Sequence, residues 1–166
     1  MTPDECIALM QGIQDKAAKS APACADAMGT VHKDWMQNVT LSRFVSVPVS
    51  QTPSPPGSPP ASMTGALRRS ITCTRGASGG MVASAIVGPH TIYARTQEFG
   101  EVHHGRPRMY LWLRYIGAEE VVIRGWRKRV VDIPARPYVR PSRDDVIGNG
   151  MAVSAANAAF MREVFA

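Results

Sequence analysis

Apolar residues recur along the N-terminal part of the chain at alternating steps of three and four: Met10, Ile13, Ala17, Ala21, Cys24, Met28, Val31 and Trp35. That spacing follows the helical repeat and puts them on one stripe. Thr2-Pro3-Asp4-Glu5 supplies a start, with a capping threonine, a proline whose missing N–H is harmless in the first turn, and Glu5 placed to complete a capping box. The pattern predicts a helix over residues 3–38 that Pro22 kinks or splits. The stripe is narrow and several of its members are small. Two destinations are open to it, the chain's own sheet, which is the commoner outcome, and a seam between subunits.

From Val39 to Val49 the pattern turns toward apolar and polar alternation, predicting a strand or an extended arm. Pro48, Pro53, Pro55, Pro56, Pro59 and Pro60, mixed with serines and Gly57, make residues 48–62 a spacer or surface arm that cannot enter a helix or a central strand. Leu67 to Thr74 and Met81 to Val87 are strand-like, and the glycine-rich run Arg75–Gly80 turns between them. His90 to Phe99 reads as a short helix stopped by Gly100. Met109 to Ile116 and Glu120 to Ile133 are rich in β-branched and aromatic residues, with Gly117-Ala118 as the turn of a second, longer hairpin.

Asp144 and Asp145 suit the first turn of a final helix, whose start Gly148-Asn149-Gly150 can delay to Met151. Over residues 151–165, Ala152, Ala155, Ala156, Ala159, Phe160 and Val164 supply its apolar face. The expected fold class is therefore α+β. A long N-terminal helix, a mostly antiparallel sheet from two hairpins within residues 63–147, a short middle helix and a C-terminal helix share one domain, 1–166.

Composition agrees with this picture. A chain of 166 residues, 45% hydrophobic and 19% charged, can bury one core and is not disordered throughout. Its net charge of +6 is concentrated, because residues 101–143 hold ten basic side chains against four acidic ones. One surface should carry a positive field suited to nucleic acid or to an acidic protein. At its centre, Arg124, Trp126, Arg127, Lys128 and Arg129 interleave bases with an aromatic, as in surfaces that grip phosphates and stack a base.

Cys6, Cys24 and Cys73 are widely separated and have no metal or redox spacing, which suits a reducing compartment. Acids rather than bases follow Met1, and no apolar run approaches a membrane span. The expectation is a soluble chain made in the cytoplasm.

Candidate chemistry is sparse. Glu98 has no second acid, histidine or nucleophile at a motif-like spacing, so it is expected to accept hydrogen bonds from backbone or from an arginine such as Arg136. Tyr93 and Phe99 are expected beneath the sheet. His103-His104 is expected in a loop with Glu101 nearby but has no identifiable third ligand, and neighbouring histidines in extended chain point apart. His32 and His90 belong to no motif. Gly76 to Gly80 lacks the Gly-Lys-Ser/Thr ending of a phosphate loop. Arg136-Pro137 and Arg140-Pro141 alternate a rigid ring with a planar, permanently charged fork, a segment expected to hold its shape as neither helix nor strand and fitting either a contact between subunits or a solvated basic loop. No metal, cofactor or catalytic constellation is expected.

Three ordered segments add a resemblance. Met63-Thr64-Gly65-Ala66-Leu67-Arg68-Arg69-Ser70-Ile71 is similar to a Thr-Gly-x-Leu-Arg-x-Ser-Ile segment. Tyr93-Ala94-Arg95-Thr96-Gln97-Glu98-Phe99-Gly100 is similar to Tyr-Ala-x-x-x-Glu-Phe-Gly, and Ile133-Pro134-Ala135-Arg136-Pro137-Tyr138-Val139-Arg140-Pro141 to Pro-x-Arg-Pro-Phe-Leu-Arg-Pro. Together they resemble the small neck, tail-component and tail-completion proteins of tailed bacteriophages, over roughly residues 62–145. Met109 to Val131 departs from that pattern as an enlarged hairpin.

The resemblance implies a virion structural protein made in the host cytoplasm and placed in the neck or tail. It would form a homo-oligomeric ring, a hexamer or dodecamer, that joins adjacent connector and tail-tube proteins near the DNA channel, with no membrane partner. Arg124, Trp126, Arg127, Lys128, Arg129, Arg136 and Arg140 are the expected partner contacts, and Thr64, Gly65, Leu67, Tyr93, Glu98, Phe99, Gly100 and Pro137 the structural ones. The basic hairpin suits an acidic ring or tube surface better than the channel, where strong phosphate binding would slow the genome. The runner-up is a cytoplasmic nucleic-acid-binding module built on the Arg124–Arg129 hairpin. An enzyme is the third class, and it lacks a nucleophile, base and orienting residue that can be placed together.

Overall fold

The computed structural model describes residues 2–43, 54–61, 64–104 and 130–165. Its spine is α1, Pro3–Trp35, opened by the expected capping box: Thr2 Oγ1 accepts from the Glu5 amide, and Glu5 Oε2 accepts from the Thr2 amide at 2.7 Å. The helix runs through Pro22 without interruption and passes into one π turn, Met36–Thr40. Helical structure thus outlasts the expected end at residue 38. Val39 to Arg43 are π turn and bend, not strand, and the rest of that expected strand lies outside the described residues. The π turn has work to do: Gln37 Nε2 donates to the carbonyls of Arg68 and Ile71 at 2.9 and 3.2 Å, and Asn38 Oδ1 accepts from Arg68 at 2.7 Å.

Those bonds hold α2, Ala66–Arg69, where the alternating pattern predicts strand. Local chemistry overrides it. Gly65 adopts φ +70°, Thr64 Oγ1 accepts from the Ala66 amide, and the Arg69 and Ser70 amides close helical turns onto Gly65 and Ala66. Strand β1, Ile71–Gly79, then pairs antiparallel with β2, Val82–Pro89. The hairpin is as expected, but its turn is only Gly80-Met81, because Arg75 to Gly79 stay in the strand across an irregularity between Arg75 and Ser78.

Helix α3 is shorter than expected, Ala94–Phe99, and ends at Gly100 as expected. After it, β3, Glu101–His104, pairs antiparallel with β4, Val130–Ile133. His103 and His104 therefore belong to a strand, not a loop. The expected strand Met109 to Ile116 and its turn at Gly117-Ala118 lie outside the described residues, as does most of Glu120 to Ile133. Among the described residues the two strand pairs form separate two-stranded sheets. Helix α4, Val139–Gly148, begins before the expected final helix and takes in Arg140-Pro141, which had been expected to be neither helix nor strand. Proline in a first turn removes an amide that has no intrahelical partner anyway, and Asp144 and Asp145 fall late in this helix. Helix α5, Met151–Phe165, starts where expected and buries Ala152, Ala159 and Val164.

The architecture is α+β, with α1 as the shared wall. Its most extensive packing is with α5, followed by the β1–β2 hairpin. At the far end of α5, Lys16 Nζ donates to the Val164 carbonyl at 3.3 Å, a cation against a helix C-terminus. Where α1 crosses the hairpin stands Gly29, buried among Cys73, Ala85 and Val87. Burial, reinforced by Asp26, pushes the Cys73 thiol pKa up, while Lys33 works the other way. The core cluster is Met36, Leu41, Ile71 and Tyr138, flanked by Leu67, Val87 and Val139.

A Cβ at Gly29 would sit 2.5 Å from Cys73 Sγ and 2.9 Å from Ala85 Cβ, whereas one at Gly12 would meet nothing within 4 Å. Gly29→Ala should lower unfolding stability by about 1–3 kcal/mol through overpacking. Gly12→Ala should raise it by up to about 1 kcal/mol through helix propensity. Urea denaturation of the two variants checks the opposite signs.

Candidate functional site

Two chain segments that are well separated in sequence lie side by side and are joined along their length. One runs α3–Gly100–β3, the other β4–Arg136–α4. Glu101 pairs with Ile133, the Arg136 amide donates to the Gln97 carbonyl at 2.7 Å, and Glu98 reaches the start of α4. Gly100 lies at the closest approach. Its φ is +71°, and a Cβ there would stand 2.8 Å from both the Ala135 amide nitrogen and the Ile133 carbonyl oxygen.

Glu98 is the centre of this junction. Its Oε2 accepts from the Tyr138 and Val139 amides at 2.8 and 3.0 Å, and its Oε1 from the Arg140 amide at 3.1 Å. Tyr138, the N-cap residue of α4, makes no side-chain cap bond of its own. A carboxylate from another element therefore supplies the cap, and its charge complements the positive end of the helix. Beneath it the Tyr138 ring is fully buried, with its hydroxyl 3.5 Å from the Ala94 carbonyl oxygen. Burial, then the charge of Glu98 and the neighbouring Tyr93, push that phenol's pKa well above its ordinary value.

The expected acceptor role of Glu98 is thus met by backbone alone. Arg136 is engaged elsewhere: its Nε donates to the Ser54 carbonyl at 2.9 Å, while the Gly57 amide donates to the Ala135 carbonyl at 2.8 Å. The described part of the proline-rich arm, residues 54–61, is pinned by this contact, and Ser54 and Pro60 are buried. Phe99 is not under a sheet but 74% exposed, and Tyr93 is 42% exposed. The turn after Phe99 aims it outward, while Ala94 and Tyr138 take the interior. Pro137 is half-buried and Arg140 exposed. Thr64 is exposed, while Leu67 packs on the cluster that contains Tyr138. Arg124, Trp126, Arg127, Lys128 and Arg129 lie outside the described residues.

No family model, curated protein or solved structure matches this chain. Among the described residues no group of three His, Cys, Asp or Glu side chains could hold a metal ion, and no helix is long and apolar enough to cross a membrane.

Two rungs that the sequence did not reveal fasten α4 to α1. His32 Nε2 lies 3.0 Å from Ser142 Oγ, and Trp35 Nε1 donates to Asp145 Oδ2 at 3.4 Å. Both pairs are three residues apart on their helices, so the rungs stack on one face. Ser142 spends its single hydroxyl proton on the Val139 carbonyl, so His32 Nε2 is the donor in its bond. Burial lowers the His32 pKa, with Arg143 adding to it and a bond to the Val139 backbone opposing it. No motif marks His32, and matched i, i+3 positions on two helices are a signal only once the helices are known to touch.

Glu98→Ala strands three amides and should lower stability by about 1–3 kcal/mol, with Glu98→Gln falling between it and wild type, as read by thermal or urea unfolding. The pH dependence has a defined sign. The unfolded chain protonates His32 near the ordinary 6.5 while the folded chain resists, so stability is complete above that value and falls as pH drops below it toward the lowered folded pKa. In urea titrations from pH 8 downward, His32→Gln should lose the part of the slope that begins near 6.5.

Proposed function

We propose that this chain is a structural protein of a tailed-phage virion, closing a ring at the head–tail junction or the tail end and joining neighbouring connector and tail proteins. The observation that supports this reading most is the mutual packing of the three segments that carry the resemblance. Leu67 and Ile71 from the first and Tyr138 from the third meet in one core, and Glu98 from the second caps the helix that the third begins. Residues that resemble a family's signature here hold a scaffold together.

Surface character supports the same reading. Ile92, Phe99, Val82 and Met81 are 97%, 74%, 74% and 73% exposed, apolar surface that a neighbouring subunit would cover. The basic character of residues 101–143 gives such a subunit a handle for an acidic partner. Arg140, exposed beside the capped turn, belongs to that handle, whereas Arg136 serves the chain's own arm.

Light scattering and negative-stain microscopy of the purified chain should reveal a closed ring that survives moderate salt, and mass spectrometry should find the chain in purified particles. A chain that stays single at virion-like concentrations and is missing from particles overturns the reading. A monomer whose DNA affinity falls steeply with salt puts the nucleic-acid-binding module in its place.

A further inference from the structure

We propose that the first turns of α1 act as an arm that docks, head to tail, into an apolar cleft on a second copy of this chain; the inference rests on the ring reading and names the surfaces that close it. Residues 2–16 are exposed on every side. Along one face of this stretch Leu9, Met10 and Ile13 are 55%, 59% and 40% exposed. They continue the stripe that farther along carries Ala17, Ser20 and Ala21 into the packing with α5, and Ser20 is buried. A stripe of this kind forms one continuous apolar seam. Its lower half packs with α5, and its upper half, about 20 Å of helix, is covered by no other element among the described residues.

The matching absence is a cleft of about 290 Å³ near the other end of α1. Met28 and Gly29 of α1, Ala85 and Val87 of β2, Ile147 of α4 and Ala152 of α5 line it. The short side chains of Ala85 and Ala152 leave depth for a larger one from outside. At its mouth Met28 and Ile147 are 40% and 59% exposed, so an occupant would cover apolar surface already in water.

Arm and cleft cannot meet within one molecule, because Met10 and Met28 lie about 27 Å apart along one helix. An α1 arm seated in the cleft therefore comes from another copy, and that arm has the required chemistry. Its exposed face is apolar, and residues 2–16 carry Asp4, Glu5 and Asp15 against Lys16. The cleft is bordered by Arg143, with exposed Arg140 one turn earlier on the same helix. Asp4 and Asp15 stand on the polar back of the arm, so the opposed charges steer and orient the approach rather than forming a buried pair. Each copy offers one arm and one cleft, a heterologous contact that repeats until it closes.

The test uses two full-length chains altered at exposed positions, Met10→Asp in the arm and Ile147→Asp in the cleft mouth. Each alone should fold with unchanged circular dichroism and migrate as a monomer. Mixed in equal amounts they should form a one-to-one dimer and nothing larger, because only the arm of Ile147→Asp and the cleft of Met10→Asp remain intact. Rings that persist in either variant, or a mixture that stays monomeric, overturn the inference. If the variants still form rings as the unaltered chain does, the ring reading survives on another surface; an unaltered chain that is itself monomeric removes both.

Discussion

The first turn of α4 has no cap of its own, because the N-cap position is held by Tyr138, whose ring is buried beneath it. Amides at a helix start that face no acceptor are costly in a part-buried setting, and the acceptor comes from Glu98, 40 positions away. Much else follows from that contact. The turn it stabilises sets Tyr138 into the core with Met36, Leu41 and Ile71. It also aims α4 so that Ser142 and Asp145 reach His32 and Trp35. The cap can form only because Gly100 lets the two segments approach to backbone distance.

Helix α1 is the surface on which these parts are assembled, and different stretches of it have different partners. Its last turns take α4, its middle takes the hairpin at Gly29, and the stretch before that takes α5. Among the described residues its first turns stay exposed. An amphipathic stripe ordinarily ends where its partner ends, and here it runs on past α5.

Periodicity made α1, α5 and the first hairpin legible, since the apolar stripes of the two helices and the strand-like runs Leu67 to Thr74 and Met81 to Val87 are single-segment signals. Thr2 to Glu5 and Gly100 marked helix ends through capping chemistry that is equally local. The pattern misled where a non-local bond decided. Leu67 alternates like a strand, yet Gly65 and the grip of Gln37 on the Arg68 and Ile71 carbonyls wind that segment into a turn. Arg140-Pro141 resembled a stiff loop because the cap that makes it helical sits on another element. At the junction itself, Glu98 was legible as a structural acid but its acceptor amides were not. Phe99 was misplaced because an aromatic residue gives no sign of which way a short helix will face.

The pairing of α1 with α5 also constrains how the molecule comes into being. Lys16 and the Val164 carbonyl are separated by 148 residues, and the packing between these two helices is the largest in the fold. During translation the middle of α1 therefore leaves the ribosome long before its principal partner exists, and its apolar seam waits in water or in the care of a chaperone. Only when synthesis has passed Val164 can the spine close, so an unfinished chain has no finished surface to offer a neighbour.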